Sequence, residues 1–165
     1  MRFLQVILLS TLMVFGGAAV AADKIAIVDV RTALFSSNGA REFSEKLKTE
    51  FADDEMKIKA IGEQAQKLQD RIKKDGAMMS ESERSRIVTE LEDKAKEFGY
   101  LKNKFETNVN NRKQEFLRDS KPKLDEALIK VAKDNKVSVL LPKEATLWVD
   151  GALDLTQKVV DVLNK

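Results

Sequence analysis

Apolar residues recur through the middle of the chain at alternating steps of four and three, and this pattern organises the rest. Going up, Leu47, Phe51, Ile58, Ile61, Ala65, Leu68 and Ile72 keep the step, with Asp54 as its polar member. Coming down, Val88, Leu91, Ala95, Phe98, Phe105 and Val109 keep it, with Lys102 and Arg112 as polar members. A spacing that averages about 3.5 residues holds one seam against a partner helix. Residues 43–118 are therefore predicted to form one long antiparallel coiled-coil helical hairpin. Folding the chain back at Met78 sets Leu47 against Val109, Phe51 against Phe105, Ile58 against Phe98, Ile61 against Ala95, Ala65 against Leu91 and Leu68 against Val88. Several layers then match a large residue with a small one, as interdigitated packing requires. The same register predicts that Asp54 faces Lys102.

The turn carries its own signals. Gly76 suits a left-handed residue that ends a helix, and Ser80 with Glu83 reads as a capping box that starts the next. At about 1.5 Å per residue, arms of roughly 30 to 38 residues reach about 45 to 55 Å. Such a rod has little interior of its own. Gly62 and Gly99 interrupt the arms at about 1 kcal/mol each relative to alanine. They read either as sites of close packing or as points that soften the arms at mid-height.

The flanks read as a small base. Lys24 to Asp29 is a branched apolar run and a predicted strand, and Arg31 to Phe35 a short helical turn closed by Ser36-Ser37-Asn38-Gly39. Ser120-Lys121-Pro122 either caps a new helix, with proline in its first turn, or kinks the descending arm. Leu124, Ala127, Leu128, Val131 and Ala132 then form an amphipathic face. Val137 to Leu141 is a second predicted strand and Ala145 to Val149 a third. Asp154 is expected to cap a last helix, with Gln157 at the capping-box position. The fold class is thus α+β, predominantly α, with the base contributed by residues 22–42 and 119–165. A base of about 65 residues is marginally able to bury a core, and its strands leave edges that need cover. Oligomerisation through the base answers both problems.

The first 21 residues stand apart from this plan. Arg2, the apolar stretch from Phe3 to Phe15 and Ala19-Val20-Ala21 read as a secretory signal peptide cleaved before Ala22. The apolar stretch is short for a membrane anchor, which needs about 20 residues. The expected product is exported and soluble.

Composition then narrows the chemistry. The chain has 29 Lys and Arg, one of them Arg2, against 27 Asp and Glu. That balance gives no reason to expect nucleic acid as a partner. With no cysteine and no histidine, a histidine-based triad, a thiol nucleophile and the usual zinc ligand sets are excluded. The carboxylates sit in mixed-charge helix, where a solvated face accounts for them. No glycine-rich phosphate loop is present, so neither an enzyme nor a cofactor is expected.

Binding residues are sought on the arms instead. Met56, Met78, Met79, Ile87, Tyr100 and Leu101 fall off the predicted seam. Isolated exposed apolar residues are ordinary, but paired methionines at a tip suit an adaptable binding surface. Lys73, Lys74, Arg84 and Arg86 flank the tip. From Lys102 to Lys123 the descending arm holds seven basic residues, Lys104 among them, against three acidic. These form either a solvated face or a cationic stripe that steers acidic polypeptide or anionic lipid.

Ala22-Asp23-Lys24-Ile25-Ala26-Ile27-Val28, the charged hairpin, Val137-Ser138-Val139-Leu140-Leu141 and the closing helix from Asp154-Leu155-Thr156 to Val162-Leu163 resemble, in this order, the OmpH-like family of Skp chaperones. The resemblance spans the predicted mature chain. It implies a homotrimer whose strands build a shared base and whose three arms enclose unfolded outer-membrane proteins in the periplasm, without nucleotide or metal. Members of that family are often strongly basic, and this chain is nearly neutral, so client capture here is expected to lean on apolar arm surface and many weak contacts. Basic residues of a lipopolysaccharide patch have no residue-by-residue match here. An exported structural adaptor that docks one partner through the hairpin tip is the alternative.

Overall fold

A computed structural model describes residues 24–165, and the expected leader, residues 1–21, lies outside the described residues. The elements run β1 (Ile25–Val28), α1 (Val30–Phe35), α2 (Asn38–Asp75), α3 (Glu81–Asp134), β2 (Val139–Pro142) and α4 (Thr156–Leu163), with 3-10 turns at Lys143–Ala145 and Gly151–Leu153. The predicted hairpin is α2 and α3.

Each long helix starts where a hydroxyl takes an orphan N–H. Ser37 Oγ accepts from Ala40 N at 3.2 Å and Ser80 Oγ from Glu83 N at 3.2 Å. The capping box at Ser80 is only half made, because the Glu83 carboxylate turns across the hairpin to Arg71 at 2.6 Å. Lys73 and Lys74 in the last turn of α2 complement its dipole. Gly76 departs from expectation, with a right-handed backbone at φ −54°. A side chain there would set its Cβ 2.3 Å from the Ile72 carbonyl oxygen, so close approach and not handedness requires the glycine.

The ascending seam is as predicted. Phe51 is buried, and Leu47, Asp54, Ile58, Ile61, Ala65, Leu68 and Ile72 are all half-buried. Phe51 meets Phe105 edge-on at 5.6 Å, as the register requires. The descending seam is corrected. Leu91, Phe98 and Phe105 lie on it, but the alternate layers are Ile87, Lys94 and Leu101 rather than Val88, Ala95 and Lys102, while Asn108 and Val109 are both half-buried. Ile87 is 1% exposed and Val88 37%. The two series differ by one residue, or 100° of helix turn, and the larger Ile87 and Leu101 win the buried side. The expected Asp54–Lys102 layer consequently does not form: Lys102 turns outward to Glu106 at 3.9 Å.

The descending arm runs without a break into the base, with Pro122 inside α3. Neither a new helix start nor a separate cap forms at Ser120; the chain gives up one backbone hydrogen bond at the proline. α3 ends in a Schellman turn. Lys136 takes φ 53° while Lys136 N donates to Lys133 O at 3.0 Å and Val137 N to Ala132 O at 2.9 Å.

β1 and β2 pair in parallel, Ile25 with Val139 through Val28 with Pro142, so the whole hairpin is the crossover between them. The predicted third strand is absent: Ala145 closes a 3-10 turn and Thr146–Val149 has no strand partner among the described residues. What lines β1 on its far side is Leu155, whose N–H donates to Ile27 O at 2.9 Å. Ala26, Val28, Ala33, Leu124, Ala127, Val131, Leu155, Val159, Val160 and Leu163 bury together as one core at the base. α4 is fastened to it at both ends. Asp154 takes the Thr156 N–H at 2.9 Å, Lys123 Nζ donates to Leu163 O at 2.8 Å, and Asn164 Oδ1 accepts from Asn38 N at 2.7 Å. Gln157 bonds Asp161 instead of completing a capping box.

Candidate functional site

The residues singled out on the arms fall into two groups. At the tip, Met78 is 83% exposed and Met79 half-buried beneath it. Lys73, Lys74, Arg84 and Arg86 are exposed around them, and among the described residues none forms an ion pair within 4.0 Å. Ile87 leaves this group, since it is the most deeply buried residue of α3 and part of the seam. At mid-arm, Met56 and Tyr100 are exposed, Leu101 is half-buried in the seam and Lys104 is exposed. Tyr100 and Lys104 share a shallow groove of about 260 Å³ with Asn103, Thr107 and Asn108.

The predicted cationic stripe is interrupted. Arg112 binds Glu115 at 2.7 Å and Glu50 at 3.1 Å, and these two partners raise its pKa above the ordinary arginine value. Lys102 pairs with Glu106, Arg118 with Asp119, Lys121 with Asp125, and Lys123 reaches a backbone carbonyl. Of the seven basic residues, Lys104, Lys113 and Lys123 have no acidic partner among the described residues, and Lys104 and Lys113 make no side-chain hydrogen bond there either.

Two apolar features escaped the sequence reading. Phe43 stacks on Phe116 at 4.5 Å and Phe35 tilts against the same ring at 6.5 Å, forming with Leu47 and Leu117 a groove of about 430 Å³ at the root of the hairpin. Phe35 and Phe43 precede the predicted seam, and Phe116 follows it, which hid their convergence. At the base, Leu147 is fully exposed and Trp148 83% exposed. Their branched and aromatic neighbours read as a strand, and nothing among the described residues covers them.

The perturbed groups sit in the base and have a structural cause. Asp154 is held down at about 2 by the Thr156 hydroxyl and then by Lys143 at 2.9 Å, against some burial. Asp29, bonded by the Thr32 N–H and hydroxyl, is lowered as well, and Lys143 is raised by Asp154. Both carboxylates are therefore fixed in the charged form and tie β1, α1 and α4 together. Neither is set up to give or take a proton near neutrality. Among the described residues no group of three His, Cys, Asp or Glu converges to hold a metal, and no helix is long and apolar enough to cross a membrane.

Comparison with known proteins places this geometry. The family model described as outer membrane protein (OmpH-like) matches residues 24–163. A Skp-like protein of Pseudomonas aeruginosa is 24% identical over 99% of this chain and 98% of its own. A protein named chaperone protein Skp from Photorhabdus luminescens is 26% identical over 88% of each chain. The crystal structure of an OmpH-like outer membrane chaperone from Caulobacter crescentus shares the fold with a TM-score of 0.62 and 20% identity, covering 87% of this chain and 85% of that one.

Proposed function

The chain belongs to the OmpH-like family, and we propose that it is an ATP-independent holding chaperone of the periplasm, which binds unfolded outer-membrane proteins between helical arms and keeps them from aggregating. The observation that carries this reading is the hairpin itself: two helices held by a narrow seam project from a single small core and carry exposed Met56, Met78 and Tyr100 along their length. An unfolded barrel strand exposes alternating apolar residues and unpaired backbone, and aggregates through both. Many weak arm contacts around one client add to useful affinity, and release needs only a more stable destination.

The arms enclose a client if several chains share a base, and a homotrimer is the assembly expected. Support comes from the exposed Leu147 and Trp148 and from a sheet of two strands whose Val139 and Leu141 remain exposed. An assembly would cover these apolar side chains and the strand edges together. Export by a leader cleaved before Ala22 completes the reading. Contact with anionic lipid is a minor expectation, confined to the unpaired lysines and arginines of the arm.

Light scattering tests the proposal as a urea-unfolded outer-membrane barrel protein is diluted with and without this protein, in the absence of nucleotide. Suppression that saturates near three chains per client is the expected result. Unchanged scattering with every client tried would instead favour an adaptor that docks one partner through the tip, where Met78 stands exposed among unpaired cations.

A further inference from the structure

We propose that the outward stripe of α3 from Tyr100 to Leu117 is a track for an extended, unfolded polypeptide segment, gripped by its backbone and not by its sequence. This rests on the chaperone reading above and specifies how a client is held.

Tyr100, Asn103, Thr107, Asn110, Gln114 and Leu117 follow one another at steps of three and four, so they line one face of the helix. All six are exposed. In a chain that is 34% charged, an exposed helix stripe normally alternates acids and bases. This stripe does so on either side, with Asp93 and Lys96 toward the tip and Lys121 toward the base, but carries no charge in between. Nor are its polar side chains occupied: among the described residues, the side-chain hydrogen bonds made between Tyr100 and Leu117 belong to Arg112.

A neutral run of three amides and a hydroxyl presents both donors and acceptors, which is what a peptide backbone needs and what a solvated surface does not. From Asn103 to Gln114 the helix rises about 16 Å. One edge of an extended chain repeats its N–H and C=O about every 6.7 Å. Four side chains with rotatable bonds can follow two to three such repeats.

The grooves on this side of α3 agree. The one of about 260 Å³ lies against Tyr100, and the one of about 430 Å³ opens between Gln114 and the Phe35, Phe43 and Phe116 rings. No carboxylate lines either, and each holds one unpaired lysine, Lys104 in the first and Lys113 in the second. The occupant is thus an extended segment that seats an apolar side chain in the phenylalanine groove and brings a carboxylate beside it.

The test uses a twelve-residue peptide of alternating valine and threonine ending in a phenylalanine with a free carboxylate, and its twin N-methylated at alternate residues to remove the donors of one edge. Fluorescence anisotropy with the purified protein is expected to give binding about tenfold tighter for the parent peptide. In the variant Asn103→Ala/Thr107→Ala/Asn110→Ala/Gln114→Ala, which favours helix, the parent peptide is expected to weaken about tenfold and the preference to vanish. Equal binding of the two peptides, or an unaffected variant, overturns the track. So does a variant that changes oligomeric state in sedimentation while binding peptide normally, which would make the stripe a contact between copies. Scattering separates this from the parent reading: if the native protein suppresses client aggregation but ignores N-methylation, only the track falls.

Discussion

The Phe98 ring of α3 lies against the bare backbone of Gly62 in α2, so close that a Cβ on Gly62 would stand 3.3 Å from the ring edge. The glycine is a hole for an aromatic knob, placed where the arms cross mid-height. Gly99, one residue along from Phe98, has nothing within 4 Å of the corresponding position. The two interruptions thus differ in kind. Gly99→Ala is expected to stabilise the protein by about 0.5 to 1 kcal/mol through helix propensity. Gly62→Ala must displace the ring by a few tenths of an ångström and should gain less. Urea denaturation of both variants checks the order, and hydrogen exchange at mid-arm shows whether Gly99 is the softer point.

The corrected seam gives a sharper contrast between neighbours. Ile87→Ala removes a fully buried side chain and should cost about 2 kcal/mol. Val88→Ala, on the exposed side, should change stability by less than about 0.5 kcal/mol. Similar losses in the two denaturation midpoints would restore the seam through Val88.

Lys136 is held at φ 53° by the Schellman turn that closes α3. A left-handed backbone costs a side-chain-bearing residue about 1 kcal/mol, and glycine avoids that cost. Lys136→Gly is expected to raise the melting temperature by a few degrees, and Lys136→Val, with a branched side chain at the same angle, to lower it.

Asp154 should govern part of the acid limb. Its pKa is about 2 in the folded protein against an ordinary 3.8, so the unfolded chain takes up the proton first. The stabilisation is fully present above the unfolded value and is lost as pH falls through about 4 toward 2. Lowered Asp29 acts in the same direction. Asp154→Asn is expected to flatten the decline of stability over that range while keeping the contact to Thr156 N–H. An unaltered acid limb in denaturation midpoints from pH 7 to pH 2 would remove Asp154 from the account.

The sequence by itself determined the hairpin, its turn and the ascending seam, because a seven-residue apolar repeat sustained over about four heptads in each arm is a local pattern with one geometric solution. It also determined the first two strands and the Ser80 hydroxyl cap, each set by a few adjacent residues, whereas the N-cap of α4 falls on Leu155 and Asp154 bonds the Thr156 N–H from one residue before it. Tertiary structure decided the rest. Val88, Ala95 and Val109 outnumbered Ile87 and Leu101 as apolar candidates for the alternate layers, and only packing across the hairpin weighed their sizes. Thr146–Val149 has strand composition, yet a strand needs a partner edge, and none is supplied among the described residues. The phenylalanine groove joins residues some 70 to 80 positions apart, and the neutral stripe of α3 acquires meaning only once the seam shows which face is outward. Local periodicity fixes what an element is; which side it buries depends on the surface it meets.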